Sequence, residues 1–333
     1  MKAKTKISRR QFLQIVAVGG AAAAVSKFGL DALAADEIVS ESRLLMGTVI
    51  NIKVVGLDPK LATAAINASF ARMAGHEAVL SRFLPGSQLS ELNQTGVTYD
   101  PHPALLTVLN QSQELSQLTD GAFDITVNPL LALYQTSETL PSNEEVEKAL
   151  SLVDYRKLDF NEAAVRFERS EMSITLDGVA KGFIVDEGVA ELQAFGFENV
   201  MVEAGGDLMV LGEKASATPW KIGLQAPRAE MGNLLTMMDV DNQAVATSGD
   251  YMQAFSADFV NHHIIDPRSG YSSPELASVS VLAPTVMLAD GLATSVMVMG
   301  QAGLDLIEEI PHCEAFAVTK NALVLKTSGF RES

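Results

Sequence analysis

Six short apolar and β-branched runs punctuate the chain: VINIKVV (49–55), MSITL (172–176), NVMVE (199–203), WKIGLQ (220–225), ASVSVLA (277–283) and LVLK (323–326). Between them lie stretches with helical spacing, clearest over 59–79, 103–119, 180–195 and 286–299. The strands occur in adjacent groups and also alternate with helices. That reads as an α+β fold with mixed sheets and packed helices, not as a regular βαβ repeat. No internal repeat and no linker rich in Pro, Gly or Ser divides the pattern, and 47% of the residues are hydrophobic. Residues 35–333 are therefore expected to bury one large core, as a single domain of two closely joined lobes. The stretch TSETLPSNEEVE (136–147) reads as a long surface loop entering a helix.

The first 34 residues stand apart from that argument. A basic run with Ser8, Arg9, Arg10, Phe12 and Leu13 precedes an apolar stretch from Ile15 to Val25 and then Ala32-Leu33-Ala34. This is the order of a secretory signal, and the paired arginines mark the twin-arginine variety, with cleavage near Ala34. A membrane anchor is the alternative, but a spanning helix needs roughly 20 apolar residues, and Lys27 and Gly29 interrupt this one early. The expected destination is the periplasm, reached already folded. The one cysteine, Cys313, cannot close an internal disulfide and makes a thiolate metal cluster implausible, so a metal would be held by oxygens or histidines. The formal net charge of −17 becomes more negative without the signal, which makes nucleic acid a poor partner.

Three places carry residue types suited to chemistry. In TLDGVAKGFIVDEGVAELQAFGF (175–197), a strand end passes through Asp177-Gly178 into a helix that buries Val185, Val189, Leu192 and Phe195 and starts near Gly178. Lys181 falls in its first turn, where a cation is unfavourable unless an anion is close, and a phosphate-bearing ligand would resolve the conflict. The plainer alternative has Asp177 capping the helix and Lys181 in solvent. In PTVMLADGLATSVMVMG (284–300), Leu288, Leu292, Val296 and Met299 form an apolar stripe. Asp290 and Thr294, four apart, share another face. Such a hard-oxygen pair suits Mg²⁺, although an ordinary polar helix face has the same appearance. Third, AGGD (204–207) and ATSGDYMQAF (246–255) place Gly-Asp turns after apolar runs, as ligand loops and simple turns both do. Finally, His262 and His263 stand side by side before an Asp-Pro-Arg-Ser-Gly turn, compatible with metal ligands, a catalytic base or a strand end.

Taken in order, MGT (46–48), SRFLPGSQLSELN (81–93), GAFDITVNPL (121–130), LDGVAKGFIVD (176–186), EAGGDL (203–208), VATSGDY (245–251), HHIIDPRSG (262–270) and ADGLATSVMVMG (289–300) resemble the ApbE family, the FAD:protein FMN transferases. The resemblance spans nearly all of the chain after the signal. It implies an ApbE-like fold and a Mg²⁺-dependent enzyme that moves the FMN half of FAD onto a threonine or serine hydroxyl of a target flavoprotein and releases AMP. It implies metal ligation by Asp290, Thr294 and the Gly178 carbonyl. FAD contacts carry over to Met46, Phe83, Ala122, Phe123, Asp124, Thr175, Lys181 and Ile264, and the base to His263. A membrane is involved only through a membrane-bound acceptor.

The chemistry agrees with these residue types. Attack of an alcohol on a pyrophosphate needs its phosphate charge neutralised, for which Mg²⁺, Lys181 and a helix start are suited. The hydroxyl needs a base, and a histidine titrating near neutrality is the natural one. If the pair lies in an extended strand, His263 faces the ligand when His262 faces away. This chain departs from the family pattern at Asp177, where Gly is usual, so an extra carboxylate stands beside the metal turn as a further ligand or second base. It departs also at Thr175, Glu203 and Asn261. Two other activities fit the same residues: splitting of FAD to FMN and AMP by water, and carriage of flavin without chemistry.

Overall fold

The computed structural model describes residues 37–333 except 138 and 215–217. The expected signal peptide and its cleavage site at Ala34 lie outside the described residues. The described chain belongs to one unit, Asp36–Ser333. Its strands are β1 (Glu37–Leu45), β2 (Thr48–Gly56), β3 (Val97–Tyr99), β4 (Leu158–Phe160), β5 (Ala164–Phe167), β6 (Val200–Ala204), β7 (Asp207–Leu211), β8 (Trp220–Gln225), β9 (Leu234–Val240), β10 (Gln243–Gly249), β11 (Leu276–Ala283), β12 (Glu314–Thr319) and β13 (Val324–Lys326). Its helices are α1 (Pro59–Leu80), α2 (Gln88–Thr95), α3 (Pro103–Leu118), α4 (Asn128–Thr136), α5 (Asn143–Leu150), α6 (Ala180–Ala194), α7 (Val286–Met299) and α8 (Gln301–Glu309).

Eight strands form an antiparallel sheet in the order β1-β2-β6-β7-β10-β11-β12-β13. Both faces of its middle are covered. On β10, Ala244 and Ala246 point into the main core with Val189, Leu192, Leu292 and Val296 of the helices, while Val245 points the other way, toward Trp220, Ile222 and Met238 of the β8–β9 hairpin. This explains why every residue of β11 is buried, where a one-sided sheet would show alternation. The fold is α+β, as the interleaved pattern implies.

Local sequence accounts for most helix ends. Asp58 caps α1 by accepting the Lys60 and Leu61 amides, with Pro59 at its first position. Ser142 and Glu145 form a reciprocal capping box at α5. The region expected as a long loop over 136–147 is shorter than that, because α4 runs through Thr136 and α5 begins at Asn143. A second expectation fails at 172–176, which is not a strand. Its partners are not a neighbouring strand: Asn93 takes both the N–H and the C=O of Ile174 at 2.8 Å, and the Thr175 N–H goes to the Ile125 carbonyl at 2.8 Å. A side-chain amide replaces a sheet ladder, leaving this segment free to run from the core into the cavity described next.

Candidate active site

Leu176 to Ala180 form a tight turn in which the Leu176 carbonyl accepts the Val179 and Ala180 amides at 3.0 and 2.8 Å. Helix α6 therefore begins at Ala180, two residues later than Gly178, and its N-cap Val179 has no capping side chain. Asp177 does not cap the helix; Arg82 holds its Oδ2 at 2.7–2.8 Å. Lys181 is not in solvent either. Its ammonium is bonded to the buried carboxylate of Asp207, on β7, whose other oxygen accepts the Thr247 amide. The anion that a cation in a first helical turn calls for is thus present in the protein itself.

Helix α7 crosses α6 with almost no gap. A Cβ on Gly182 would lie 2.4 Å from the Val286 carbonyl oxygen, so only glycine fits the crossing. Asp186 of α6 then accepts the Val286 and Met287 amides at 2.8 and 2.9 Å and caps α7 across the interface. Burial raises the Asp186 carboxyl to about 6, against those two amides. Helix α7 is buried almost all round, including the face that carries Asp290, so the polar-face alternative for this helix does not hold. Leu288 and Met299, expected in the buried stripe, are only partly buried.

Asp290 is 6% exposed and has one hydrogen-bond donor, the Gly182 amide at 3.2 Å. Burial pushes its carboxyl above the usual range, while Lys181 and that amide pull it back. Thr294 lies one turn on, its Oγ1 3.3 Å from Ser248 Oγ, and a Cβ on Gly178 would stand 3.0 Å from the same Oγ1. The Asp290 carboxylate, the Thr294 hydroxyl and the Gly178 backbone thus converge. A buried, under-donated carboxylate beside neutral oxygens is the donor set of a hard cation that takes its remaining ligands from water or phosphate. Among the described residues no group of three or more His, Cys, Asp or Glu side chains is arranged to hold a metal, so a site of the zinc kind is not formed.

The two histidines separate completely. His262 is fully buried; its Nδ1 accepts the Ile264 amide at 3.3 Å, so its Nε2 carries the proton and donates to the Ser273 carbonyl at 3.0 Å. Burial lowers it to about 4 and keeps it neutral. His263 lines the cavity, and its Nδ1 is buried without a hydrogen-bond partner. Burial lowers this imidazole too, against the Gln253 carbonyl and the charges of Asp177 and Asp250. The neutral form that can take up a proton is favoured. The pair is not in a regular strand; His262 makes an isolated bridge to Ala254, and the following turn is fixed by Asp266, whose carbonyl accepts the Gly270 amide at 2.8 Å.

A cavity of about 740 Å³ gathers these groups. Met46, Phe83, Ala122, Phe123, Asp124, Thr175, Asp177, Gly178, Lys181, His263, Ile264, Asp290 and Thr294 all line it, although they are scattered over the chain. They differ in how they do so. Phe83 is 67% exposed at the rim with Arg82 stacked 4.2 Å over its ring, whereas Ala122, Phe123 and Ile264 are buried in the wall. Both oxygens of Asp124 are already engaged, by Thr126 and by the Tyr155 amide, so its carboxylate holds the wall together. Glu77 also lines the cavity and carries no signal in the sequence that separates it from an ordinary helix residue, whereas Ser248, Met252 and Gln253 line it from the ATSGDYMQAF stretch read as a ligand loop or a simple turn. Glu77 accepts the amide of Met46 at 3.0 Å, fixing a left-handed non-glycine residue (φ 52°) against the cavity.

An eight-stranded antiparallel sheet under helices, with oxygen donors and a buried histidine on one large cavity, has the architecture of an α+β enzyme. The chain belongs to the ApbE family, whose family model matches residues 46–317, and a twin-arginine translocation signal matches residues 6–26. Among curated proteins it is 32% identical over 297 residues to the FAD:protein FMN transferase of Vibrio cholerae serotype O1, covering 86% of this chain and 87% of that one. It is 29% identical over 313 residues to the FAD:protein FMN transferase of Haemophilus influenzae, covering 88% and 90%. Among solved structures it is similar to the flavin transferase ApbE from Vibrio cholerae, with a TM-score of 0.78 and 29% identity over 89% of this chain and 98% of that one. The ApbE protein from Thermotoga maritima gives 0.79 and 28% over 88% and 97%. Twin-arginine export places the protein in the periplasm.

Proposed function

We propose that this protein is a FAD:protein FMN transferase that uses Mg²⁺ and esterifies a threonine or serine hydroxyl of an acceptor flavoprotein. Family membership supports the activity, and one observation supports its assignment to residues: a single cavity brings His263 together with Asp290, Thr294 and Gly178. In the reaction the acceptor oxygen forms a bond to the FMN phosphorus, the P–O bond to AMP breaks, and AMP leaves. His263, neutral because it is buried, takes the hydroxyl proton. Asp290, Thr294 and the Gly178 carbonyl would hold Mg²⁺, which when bound neutralises charge on the pyrophosphate oxygens. Lys181, fixed by Asp207, adds a positive charge on the same side. Met46, Phe83, Ala122, Phe123, Asp124, Thr175 and Ile264 shape the space for FAD.

Asp177 keeps a structural partner in Arg82, and in this reading its free Oδ1 is a second acceptor near His263. Residues 1–34 would be removed on export and 35–333 would form the transferase. Membrane contact would arise only through a membrane-bound acceptor. The test is incubation with FAD, Mg²⁺ and candidate acceptor domains, followed by mass spectrometry of the acceptor and assay of AMP. An FMN adduct that needs Mg²⁺ and a Thr or Ser on the acceptor is expected. AMP release at the same rate without acceptor would make the protein a FAD pyrophosphatase, and FAD binding without either product would make it a carrier.

A further inference from the structure

The Nδ1 of His263 is buried without a hydrogen-bond partner among the described residues, and the backbone carbonyl acting on the ring is that of Gln253. A histidine that moves protons is ordinarily oriented by a partner on its other nitrogen. Here the backbone must do that work. The His263 amide donates to the Gln253 carbonyl at 3.0 Å, His262 bridges Ala254, and the Phe255 and Ser256 amides share the Asn261 carbonyl at 2.7 and 3.1 Å. Residues 250–263 therefore form a closed loop with Gln253 and His263 facing each other across its neck.

The base and the tip of that loop are gripped from outside by one residue. Arg228, between β8 and β9, makes a two-pronged pair with Asp250 at 2.8 and 2.7 Å, and Asp250 is fully buried. The same guanidinium lies 4.4 Å from the ring centroid of Phe259 near the loop's tip. Phe259 has φ 59°, which a bulky side chain rarely adopts, and Lys320 Nζ donates to its carbonyl at 3.0 Å. Neither Arg228 nor Phe259 lines the cavity. We infer that Arg228 is a positioning residue for His263, holding the base and tip of loop 250–263 so that the imidazole, beside the Gln253 carbonyl, faces the cavity oxygens. The β8–β9 hairpin thereby becomes part of the catalytic apparatus, although no residue of its strands lines the cavity. The inference rests on the reading of His263 as the base.

The test is NMR of the histidine rings in the whole protein, selectively labelled, for Arg228→Lys and Phe259→Leu. Lysine keeps a charge for buried Asp250 but lacks the planar fork; leucine removes the ring and keeps the ion pair. In both variants the His263 resonances are expected to broaden or double, with a titration midpoint moved up toward an ordinary histidine. His262, tied to Ser273 and Ile264, is expected to stay in place, and FAD affinity by flavin fluorescence to stay within about twofold. The kcat for any acceptor that takes FMN should fall about tenfold at saturating FAD, the cost of a loosened reacting group. Unchanged His263 signals in both variants would overturn the inference. So would joint movement of His262 and His263 with loss of FAD binding, which is general destabilisation. Movement of His263 without a fall in kcat would leave Arg228 as its positioning residue and remove His263 as the base.

Discussion

The oxygen donors and the histidine reach the cavity by opposite means. Asp290 and Thr294 ride on a helix buried nearly all round, crossed by α6 at a glycine and capped by Asp186, so their positions follow from tight packing. His263 rides on an irregular loop of 14 residues, 250–263, whose geometry depends on a few hydrogen bonds and one arginine. In the proposed reading, the groups that would hold a fixed ion are built into the core, where displacement costs packing energy, and the group that would meet an incoming protein sits on a loop. The end of β10 ties the two together: the Thr247 amide bonds Asp207, which holds Lys181; Ser248 touches Thr294; and Asp250 begins the histidine loop.

The contrast makes predictions of decreasing size. His263→Ala should lower FMN transfer by about 10²–10⁴-fold, the range for a lost general base, with FAD affinity nearly unchanged; normal transfer would remove the loop from the chemistry. Asp290→Asn should abolish Mg²⁺ binding in calorimetry and lower transfer about 10²-fold or more, and its melting temperature should not fall, because the substitution relieves a buried carboxyl that is already raised. A variant that binds Mg²⁺ normally would break the packed half of the comparison.

The two adjacent histidines offer a smaller, pH-dependent test. The folded-state value of His262 is depressed to about 4 from 6.5, so the unfolded chain binds more protons between those values. Its contribution to stability is present above pH 6.5 and is lost as pH falls through 4. His262→Gln should flatten that loss by about 3 kcal/mol in thermal unfolding across the window. The smallest effect belongs to the partly exposed Arg82–Asp177 pair. Asp177→Asn should change stability by no more than about 1 kcal/mol. Under the proposed role for Oδ1 it should shift the acid side of the kcat profile, and an unchanged profile would leave Asp177 only the task of holding Arg82.

Much of the architecture is legible in the chain because its signals are local. The helices at Pro59, Pro103, Ala180 and Val286 follow from apolar spacing, and at three of them from a Pro or a capping side chain; α6 has neither. The strands β1, β7, β9, β10 and β12 give weaker signals. β1 is a polar, largely exposed strand at the sheet edge, while β10 and β12 are rich in alanine and are buried by neighbours supplied from elsewhere. MSITL looks like a strand because nothing local shows that Asn93, 81 residues from Ile174, will take that residue's hydrogen bonds.

The same division runs through the candidate site. Motif order was enough to show the family resemblance and the export route, and the resemblance implied residues, thirteen of which line one cavity. What those side chains do to one another was left to the tertiary structure. It decided that Lys181 is held by Asp207, that Asp177 belongs to Arg82, and that of two identical neighbours His262 is satisfied and His263 is not. Composition and periodicity report what a residue can do. Burial and the partners brought from distant strands decide which charges are neutralised and which proton acceptor is left open, because those depend on distances that the order of residues does not specify.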